Sequence, residues 1–308
     1  MYSIEVNNLT KKFGDFVSVD NVSFKVKKGE IFGFLGANGA GKSTTIRMLC
    51  GILEPTEGDA LVGGFSVANN PDLVKLNIGY MSQRFSLYND LTVEENINFF
   101  GGVYGLKGKD LEERKKWVLQ ISNLIGKEKI ITGSLPGGIK QRLALGTAVI
   151  HKPKIVFLDE PTSGVDPISR RSFWDLIVNL SEEGITIFVT THYLEEAEFC
   201  NNIMLINAGK IIAEGNPTEL KTKYLNHDII EIECTNAVSA MEILEEAEFV
   251  NDISIFGNNI HLSVDKGFEN FELIKNQIKN ISEVRRIEKI VPTLEDVFIN
   301  LLEKTYNK

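Results

Sequence analysis

The segment GANGAGKS at Gly36–Ser43 constrains the fold of this chain more than any other part of the sequence. It follows a short apolar run, EIFGFL at Glu30–Leu35, and precedes the helical pattern of Thr44–Cys50. The spacing fits G-x-x-x-x-G-K-[ST], in which glycines let backbone N–H groups turn inward around a phosphate at a helix N-terminus. The sequence therefore predicts a strand, a phosphate-binding loop and a helix, in that order, within an α/β fold.

The residues of this loop have different expected roles toward a bound nucleotide. The expected nucleotide-binding residues are Gly36, Ala37, Asn38, Gly39, Ala40, Gly41, Lys42, Ser43 and Thr44. Lys42 brings a positive charge toward the β- and γ-phosphates and is therefore also expected to act in catalysis, while the Ser43 hydroxyl is placed to ligate Mg²⁺. Thr44 is expected to reach the α-phosphate. The loop predicts ATP and Mg²⁺ as ligands.

A second segment, KIVFLDEP at Lys154–Pro161, predicts a buried strand that ends in two adjacent carboxylates. Because side chains alternate along a strand, Asp159 and Glu160 point in different directions. Asp159 suits the Mg²⁺ shell, directly or through water. Glu160 is then free to polarise a water molecule for attack on the γ-phosphate. Next to a phosphate-binding loop, this strand end predicts nucleotide hydrolysis.

The pattern of the first two thirds of the chain predicts a doubly wound α/β core. Three further apolar runs, Lys154–Leu158, Ile185–Thr190 and Asn202–Ile206, predict buried parallel strands with helices between them. Before the loop, Ser3–Phe24 alternates apolar and polar residues, which predicts a half-exposed antiparallel sheet. Leu91–Val149 is mostly helical by pattern. A helical insertion is therefore expected to divide the sheet unit.

After Asn216 and Pro217 the pattern changes to short strands and amphipathic helices. Strands are predicted over Asp228–Glu233, Asp252–Phe256, Asn259–Val264 and Val284–Val291, and helices over Ala237–Glu246, Phe268–Ile281 and Thr293–Leu302. The order βαββαβ, with a final helix, indicates a small α+β domain of the ferredoxin-like type.

Composition and charge exclude several classes of protein. The 308 residues carry a formal net charge of −9, and residues 221–308 contain 10 basic and 16 acidic side chains. A nucleic-acid-binding protein would normally show a basic face, so no nucleic acid is expected. Nowhere do about 18 apolar residues follow one another, so no membrane-spanning helix is expected. Cys50, Cys200 and Cys234 form no CxxC pair, which favours reduced core cysteines.

Five further motifs occur in order around these two sites. They are Phe13 in KKFGDF, Gln83 in YMSQRF, SLPGGIKQRLAL at Ser134–Leu145, SGVD at Ser163–Asp166 and His192 in TTHYLEEAE. With them, residues 4 to about 219 resemble the ATPase subunit of an ABC transporter. The resemblance implies a P-loop NTPase fold of the ABC cassette type over residues 1–219, with the helical insertion at about 84–150. An accessory α+β domain would then occupy residues 220–308.

The resemblance gives each of these motifs an expected role. Phe13 lies where such subunits place an aromatic ring against the adenine, and the alternative is a core residue of an edge strand. Gln83 is expected to contact the nucleotide and Mg²⁺ and to link them to the helical insertion. Ser163–Asp166 matches the loop at the seam of the dimer. His192 matches the switch histidine, which is expected to act in catalysis.

The signature motif departs from the family pattern at one position. Pro136, Gly137 and Gly138 are expected to open a helix that faces the nucleotide of a second subunit, but the usual signature has serine where this chain has Pro136. The contact to the γ-phosphate would then come from backbone N–H groups and the helix dipole. We therefore expect intact ATP binding and slower hydrolysis, with Ser134 as a weaker candidate to replace the missing hydroxyl.

Within this family, three segments are most like those of drug and small-molecule exporters with separate permeases. They are LPGGIKQRLAL, LDEPTSGVDPISRR and the tail PTLEDVFINLL at Pro292–Leu302. The resemblance implies that two subunits, identical or paralogous, sandwich two ATP molecules and drive a transmembrane permease. The chain would lie peripherally at the cytoplasmic face of the cell membrane, and contact it only through the permease. Phe85, Leu87 and Tyr88 are expected either to receive the permease or to pack inside the insertion.

Two other functions fit the sequence less well. A soluble ABC-type ATPase acting on ribosomes or DNA usually carries two cassettes or a long coiled-coil insertion, and the sequence has one cassette and no heptad run. A P-loop GTPase or kinase would leave Gln83 and His192 without a role, and the sequence contains no [NT]KxD motif. We therefore expect a transport ATPase, with the soluble ATPase of a macromolecular machine as the alternative.

Overall fold

The computed structural model describes residues 1–83, 87–224 and 227–306, without the side chains of residues 303–306. The chain forms two compact units, Met1–Pro217 and Thr218–Lys308, and their boundary lies close to the expected limit after residue 219. Within the described residues, no helix combines the length and apolar character needed to cross a bilayer.

The first unit alternates strands and helices. In chain order its elements are β1 (Tyr2–Phe13), β2 (Phe16–Lys27), β3 (Ile31–Leu35), α1 (Lys42–Leu49), β4 (Glu57–Val62), β5 (Phe65–Ser66), α2 (Pro71–Asn77), β6 (Ile78–Met81), α3 (Val93–Val103), α4 (Gly108–Ile121), α5 (Gly137–Ala148), β7 (Ile155–Asp159), α6 (Pro167–Glu182), β8 (Thr186–Thr191), β9 (Asn202–Asn207) and β10 (Lys210–Gly215). Short 3₁₀ helices cover Thr132–Ser134 and Leu194–Phe199, and α7 (Pro217–Lys223) follows β10.

Six strands form the core sheet in the order β10-β9-β3-β8-β7-β6, and all are parallel except β10. Every residue of β3, β7 and β8 is buried, as expected for strands covered on both faces. The predicted parallel sheet is confirmed, although β6 and β10 at its two edges were not predicted. Because carboxyl ends of parallel strands share one edge, the segments after β3, β7 and β8 come together there.

A separate antiparallel sheet, in the order β2-β1-β4-β5, confirms the sheet predicted from the N-terminal alternation. It packs on the core sheet through aromatic rings, since Phe24 of β2 lies 5.6 Å from Phe32 and 6.0 Å from Phe188 between ring centres. These rings are all buried, so the packing fixes β3 and the loop that follows it.

The helical insertion lies between β6 and β7 and contains α3, α4 and α5, as the sequence predicts. Helix α3 begins with a capping box, in which Thr92 and Glu95 satisfy each other's backbone N–H groups. Asn96 is fully buried and donates its amide protons to the carbonyl of Tyr88 and the hydroxyl of Thr132. These bonds join α3 to the segments before and after it.

The second unit confirms the predicted ferredoxin-like order. Its elements are β11 (Asp228–Cys234), α8 (Ala237–Leu244), β12 (Val250–Phe256), β13 (Asn259–Val264), α9 (Phe271–Ile278), β14 (Val284–Ile290) and α10 (Leu294–Tyr306). The sheet order is β12-β13-β11-β14, and every pair is antiparallel. Its core contains Ile230, Ile232, Leu244, Ile260, Leu262, Ile274 and Ile278.

A buried ionisable pair links α10 to the sheet of this second unit. His261 of β13 is 4% exposed, and its Nδ1 lies 2.9 Å from Asp296 Oδ1 while its Nε2 lies 3.4 Å from Glu231 Oε2. Burial alone would lower the pKa of His261, but the hydrogen bonds and charges of the two carboxylates outweigh it and raise this pKa above its ordinary value.

Candidate active site

The loop after β3 depends on glycines for two physical reasons. Gly39 and Gly41 have φ of 81° and 106°, in the left-handed region that favours glycine. A Cβ at Gly36 would lie 2.2 Å from the Ile206 carbonyl oxygen, so no larger residue fits there. Helix α1 begins at Lys42 without a side-chain cap, and its first N–H groups therefore remain available to an anion.

A cavity of about 320 Å³ lies against this loop. Its lining residues are Phe16, Ser18, Asn38, Gly39, Gly41, Lys42, Ser43, Thr44, Gln83 and Glu160. The lining joins the predicted phosphate loop to two predicted residues that are distant in sequence, Gln83 and Glu160. Of the remaining predicted loop residues, Ala37 offers its carbonyl oxygen to Lys42 Nζ at 3.1 Å, and Ala40 is buried.

Lys42 is almost fully buried and paired at the floor of this cavity. Its Nζ donates to the carbonyl oxygen of Gly36 at 2.9 Å and lies 3.2 Å from Glu160 Oε1. A buried ammonium needs such partners because its charge has lost its hydration. The lysine is therefore held in place beside the loop.

Asp159 meets the loop through hydroxyl groups. Its Oδ1 accepts hydrogen bonds from Ser43 Oγ at 3.1 Å and Thr190 Oγ1 at 2.7 Å. Burial raises the pKa of this carboxyl above its ordinary range, although the two hydroxyl donors partly oppose the rise. Hydroxyl and carboxylate oxygens are the donors that Mg²⁺ prefers, so the Ser43–Asp159 pair fits that ion.

The described residues include no cluster of three or more His, Cys, Asp or Glu side chains able to hold a metal. Mg²⁺ commonly takes one or two protein oxygens and completes its shell with waters and substrate phosphates. The two-oxygen arrangement at Ser43 and Asp159 is compatible with that mode of binding.

Glu160 contacts three of the predicted site residues. Its carboxylate lies within 3.2 Å of Lys42 Nζ, accepts from Gln83 Nε2 at 3.0 Å and lies 3.2 Å from His192 Nδ1. Its backbone is left-handed, with φ of 46°, which is uncommon for a residue with a side chain, and its N–H donates to the Thr190 carbonyl at 3.0 Å. The backbone bond to β8 and these three side chains thus fix the direction of this carboxylate.

The signature segment does not contribute to the cavity beside the phosphate loop. Pro136 is the N-cap of α5, Gly137 and Gly138 are its first two residues, and none of the three lines that cavity. The Ser134 hydroxyl donates to the Ile131 carbonyl at 2.7 Å, so it is already engaged. A Cβ at Gly138 would lie 2.5 Å from the Cβ of Ser169, whereas one at Gly137 would meet no atom within 4 Å.

Two aromatic residues, not one, lie at the tip of the β1–β2 hairpin. Phe13 and Phe16 face each other in the ladder, and their exposed fractions are 49% and 64%. Lys11 Nζ lies 5.3 Å from the Phe13 ring centre, while Phe16 lines the cavity. The sequence prediction named Phe13 alone, although KKFGDF contains both rings.

Leu87 and Tyr88, which follow Gln83, have different environments. Leu87 is 6% exposed, which favours the second of its two expected roles, packing inside the insertion, over contact with the permease. Tyr88 is 50% exposed, and its ring centre lies 4.9 Å from that of Phe99. Phe85 lies outside the described residues.

Comparisons with known proteins agree with this geometry. A family model described as ABC transporter matches residues 19–163, and one described as the C-terminal domain of DrrA1-3-like ATP-binding proteins matches residues 215–302. The linearmycin resistance ATP-binding protein LnrL of Bacillus subtilis (strain 168) is 34% identical over 98% of this chain and 99% of its own length.

One further relative and one solved structure are similar to part of this chain. The "Probable multidrug ABC transporter ATP-binding protein YbhF" of Escherichia coli (strain K12) is 51% identical over 73% of this chain, which spans only 39% of that relative. A dimeric structure of a post-hydrolysis state of the ATP-binding cassette MJ0796, bound to ADP and Pi, has a TM-score of 0.63 at 26% identity. It covers 69% of this chain and 98% of its own. The chain therefore belongs to the family of ATP-binding proteins of ABC transporters.

Proposed function

We propose that this chain binds ATP with Mg²⁺ and hydrolyses it, as one of two ATPase subunits that power export through a separate membrane permease. The observation that carries the proposal is the set of contacts around Glu160. Lys42, Gln83 and His192 come from three separate segments, and all lie within 3.2 Å of its carboxylate beside the phosphate loop. A structural ion pair alone would not need an amide and an imidazole on the same carboxylate.

Binding would depend on the loop and on Lys42. The N–H groups at the start of α1 suit phosphate oxygens, and the buried ammonium adds a full positive charge already held in position. Ser43 and Asp159 would hold Mg²⁺, which neutralises negative charge on the β- and γ-phosphates. Phe13 or Phe16 would stack on the base, since both rings are exposed at one hairpin.

Hydrolysis would depend on Glu160 as the group that orients and deprotonates the attacking water. Gln83 and His192 contact one oxygen of this carboxylate, Oε2, while Lys42 contacts the other, Oε1. A triphosphate that draws Lys42 toward its own oxygens would leave Oε1 free to accept a proton from water. His192, whose side chain is 28% exposed, would then hold Glu160 from the other side.

A second subunit would complete the site. None of the three signature residues lines the loop cavity of its own chain, so a nucleotide there would meet a signature helix only from another copy or a paralogue. The uncapped start of α5 offers its N–H groups for that contact. Closing the seam would also exclude water and strengthen the charge contacts.

Export and the permease are supported by the relatives and by one surface. LnrL is named for linearmycin resistance, and other relatives of similar identity over 97–99% of this chain are named Nod factor export ATP-binding protein I. On the insertion, Tyr88, Phe99 and Val103 are 50%, 44% and 60% exposed, and this apolar group would receive the permease. The soluble-ATPase alternative has no comparable support. Location at the cytoplasmic face of the membrane follows from the permease contact.

The proposal can be tested with the full chain and the membrane protein encoded beside its gene. We expect the pair to co-purify from detergent-solubilised membranes, and Mg-ATPase activity to be present in the wild-type complex but absent with Glu160→Gln. A wild-type chain that hydrolyses no ATP, alone or with its neighbour, would contradict the enzymatic part. Failure of the chain to co-purify with the neighbouring membrane protein, with hydrolysis otherwise intact, would contradict the transport part.

A further inference from the structure

His192 contacts a second group of side chains that the catalytic proposal does not use. The centre of its ring lies 4.1 Å from that of Tyr193, and the guanidinium carbon of Arg170 lies 4.0 Å from the Tyr193 ring centre. Four side chains therefore form a row: Glu160 touches His192, His192 touches Tyr193, and Tyr193 touches Arg170. Cation–π and ring contacts of this kind restrict the orientation of the rings involved.

Arg170 is itself fixed by a buried carboxylate. Glu196, in the 3₁₀ helix after β8, is 2% exposed, and its Oε1 lies 3.6 Å from Arg170 Nε. The same Oε1 accepts a hydrogen bond from the hydroxyl of Thr162, which is also buried. The contact is an ion pair without a hydrogen bond, and because a buried carboxylate needs a compensating charge, it keeps the guanidinium close to Glu196.

The row connects two parts of the chain that are distant in sequence. Arg170 belongs to the first turn of α6, where its N–H donates to the carbonyl of Asp166, the N-cap residue. Thr162 immediately precedes the Ser163–Asp166 loop and lies two residues after Glu160. A displacement of that loop would therefore reach both Glu160 and, through Arg170 and Tyr193, the imidazole of His192.

We infer that Arg170 and Tyr193 are positioning residues for His192 in hydrolysis, with Glu196 as the anchor of Arg170. The inference rests on the proposed function of Glu160 and His192. The partly exposed imidazole has a hydrogen bond to Glu160, which fixes a direction but not a ring plane. The Tyr193 ring, held under the planar guanidinium, supplies the second restraint.

The variants are chosen so that the fold survives. Tyr193→Leu removes the ring without leaving a buried charge unpaired, and Tyr193→Phe restores the ring. Arg170→Lys keeps the positive charge for Glu196 but removes the planar group. Arg171→Met, at the exposed neighbouring position, is the matched control for a change on α6.

We expect Tyr193→Leu and Arg170→Lys to lower kcat by about 10-fold or more, as misplaced catalytic groups do, while the KM for ATP changes less than about 2-fold. Tyr193→Phe and Arg171→Met should keep wild-type kcat. The second readout is NMR of histidine-labelled protein, because the chain has only four histidines. The imidazole signal that disappears in His192→Ala should shift in Tyr193→Leu and Arg170→Lys and stay unchanged in Arg171→Met.

The possible outcomes distinguish a failure of the positioning role from a failure of the proposed function. Wild-type kcat and an unmoved His192 signal in both variants would overturn the positioning role while leaving the proposed function intact. A fall in kcat accompanied by loss of thermal stability, with no shift of that signal, would assign the row a purely structural role and also overturn the inference. Wild-type hydrolysis by His192→Ala would refute the catalytic role of His192 itself.

Discussion

The Lys42 ammonium lies 3.2 Å from the Glu160 carboxylate, and the two side chains are 4% and 6% exposed. This contact joins the residue expected to bind phosphate to the residue expected to activate water. The arrangement means that one substitution in either residue changes both charge compensation and chemistry, so the two effects have to be separated experimentally.

The first prediction separates them at Lys42. Lys42→Ala should abolish tight Mg-ATP binding and lower the free energy of unfolding by about 3 kcal/mol, because Glu160 is left buried without its cation. The double variant Lys42→Ala/Glu160→Gln should recover much of that stability without recovering binding. Nucleotide titration and chemical denaturation measure the two quantities, and Lys75→Ala, at an exposed ion pair, is the control. Wild-type affinity in Lys42→Ala would exclude the loop as the phosphate site.

The second prediction concerns Glu160 alone. Glu160→Gln should leave ATP binding intact and reduce hydrolysis to background, because an amide keeps the shape but accepts no proton. A dimer bound to ATP should accumulate, which size-exclusion chromatography with ATP would detect. Turnover at the wild-type rate would remove Glu160 from the base role, whichever residue then replaced it.

The third prediction concerns Pro136 at the N-cap of α5. Pro136→Ser should raise the hydrolysis rate by about 10- to 100-fold, since a hydrogen bond to a charged group contributes roughly 1.5–3 kcal/mol. Pro136→Ala, which adds no hydroxyl, is the matched control and should stay at the wild-type rate. Specific activity of the wild type should also rise with protein concentration. Constant activity in a monomeric sample would argue against the two-subunit site.

The fourth prediction tests the apolar surface of the insertion. Tyr88→Glu and Phe99→Asp should uncouple transport while basal ATPase activity persists, because both rings are about half exposed. Ile125→Glu, at another exposed apolar residue of the insertion, should leave coupling unchanged. Substrate export by cells and ATPase activity of the purified subunit are the paired measurements. If the two charged variants unfold the subunit, the rings belong to its core and not to a docking surface.

The fifth prediction follows from the raised pKa of His261. Protonated His261 stabilises the second unit fully below its unfolded pKa of about 6.5, and this contribution disappears as pH rises through the higher folded pKa. Thermal stability of that unit should therefore fall as pH rises above about 6.5, and the double variant His261→Gln/Asp296→Asn should flatten the profile. A wild-type profile that is level over this range would show that the buried pair does not titrate there.

Local sequence signals predicted the parts of the fold that depend on short stretches of chain. The strand, loop and helix around Gly36–Ser43 and the βαββαβ order of the second unit both followed from spacing and alternation. The edge strand Ile78–Met81 was not predicted because it has only four residues. One of them is Gly79, where an added Cβ would lie 2.5 Å from the Ala148 carbonyl oxygen. The strand character of this segment depends on pairing with β7, which no local pattern reports.

In the candidate site, too, some residues could be predicted from local motifs and others could not. The motifs that contain Lys42, Glu160 and His192 follow β3, β7 and β8, and the carboxyl ends of these parallel strands meet at one edge of the sheet. The contacts behind them were not predictable, since Arg170 and Tyr193 meet through packing between α6 and the segment after β8. Phe16 was missed for another reason. The sequence does not show which of two aromatic residues three positions apart lines the cavity, because that depends on the geometry of the hairpin.

The tight contact between Gly138 and Ser169 changes how a mutational scan of the signature would be interpreted. Every residue larger than glycine at position 138 would push α5 against α6 within a single chain, so intolerance there reports on packing and carries no information about nucleotide. A Cβ at Gly137 would meet no atom of the described residues within 4 Å, so packing in its own subunit does not exclude a small side chain there. In such a scan, position 137 is the one whose substitutions would reveal how closely a partner's nucleotide approaches.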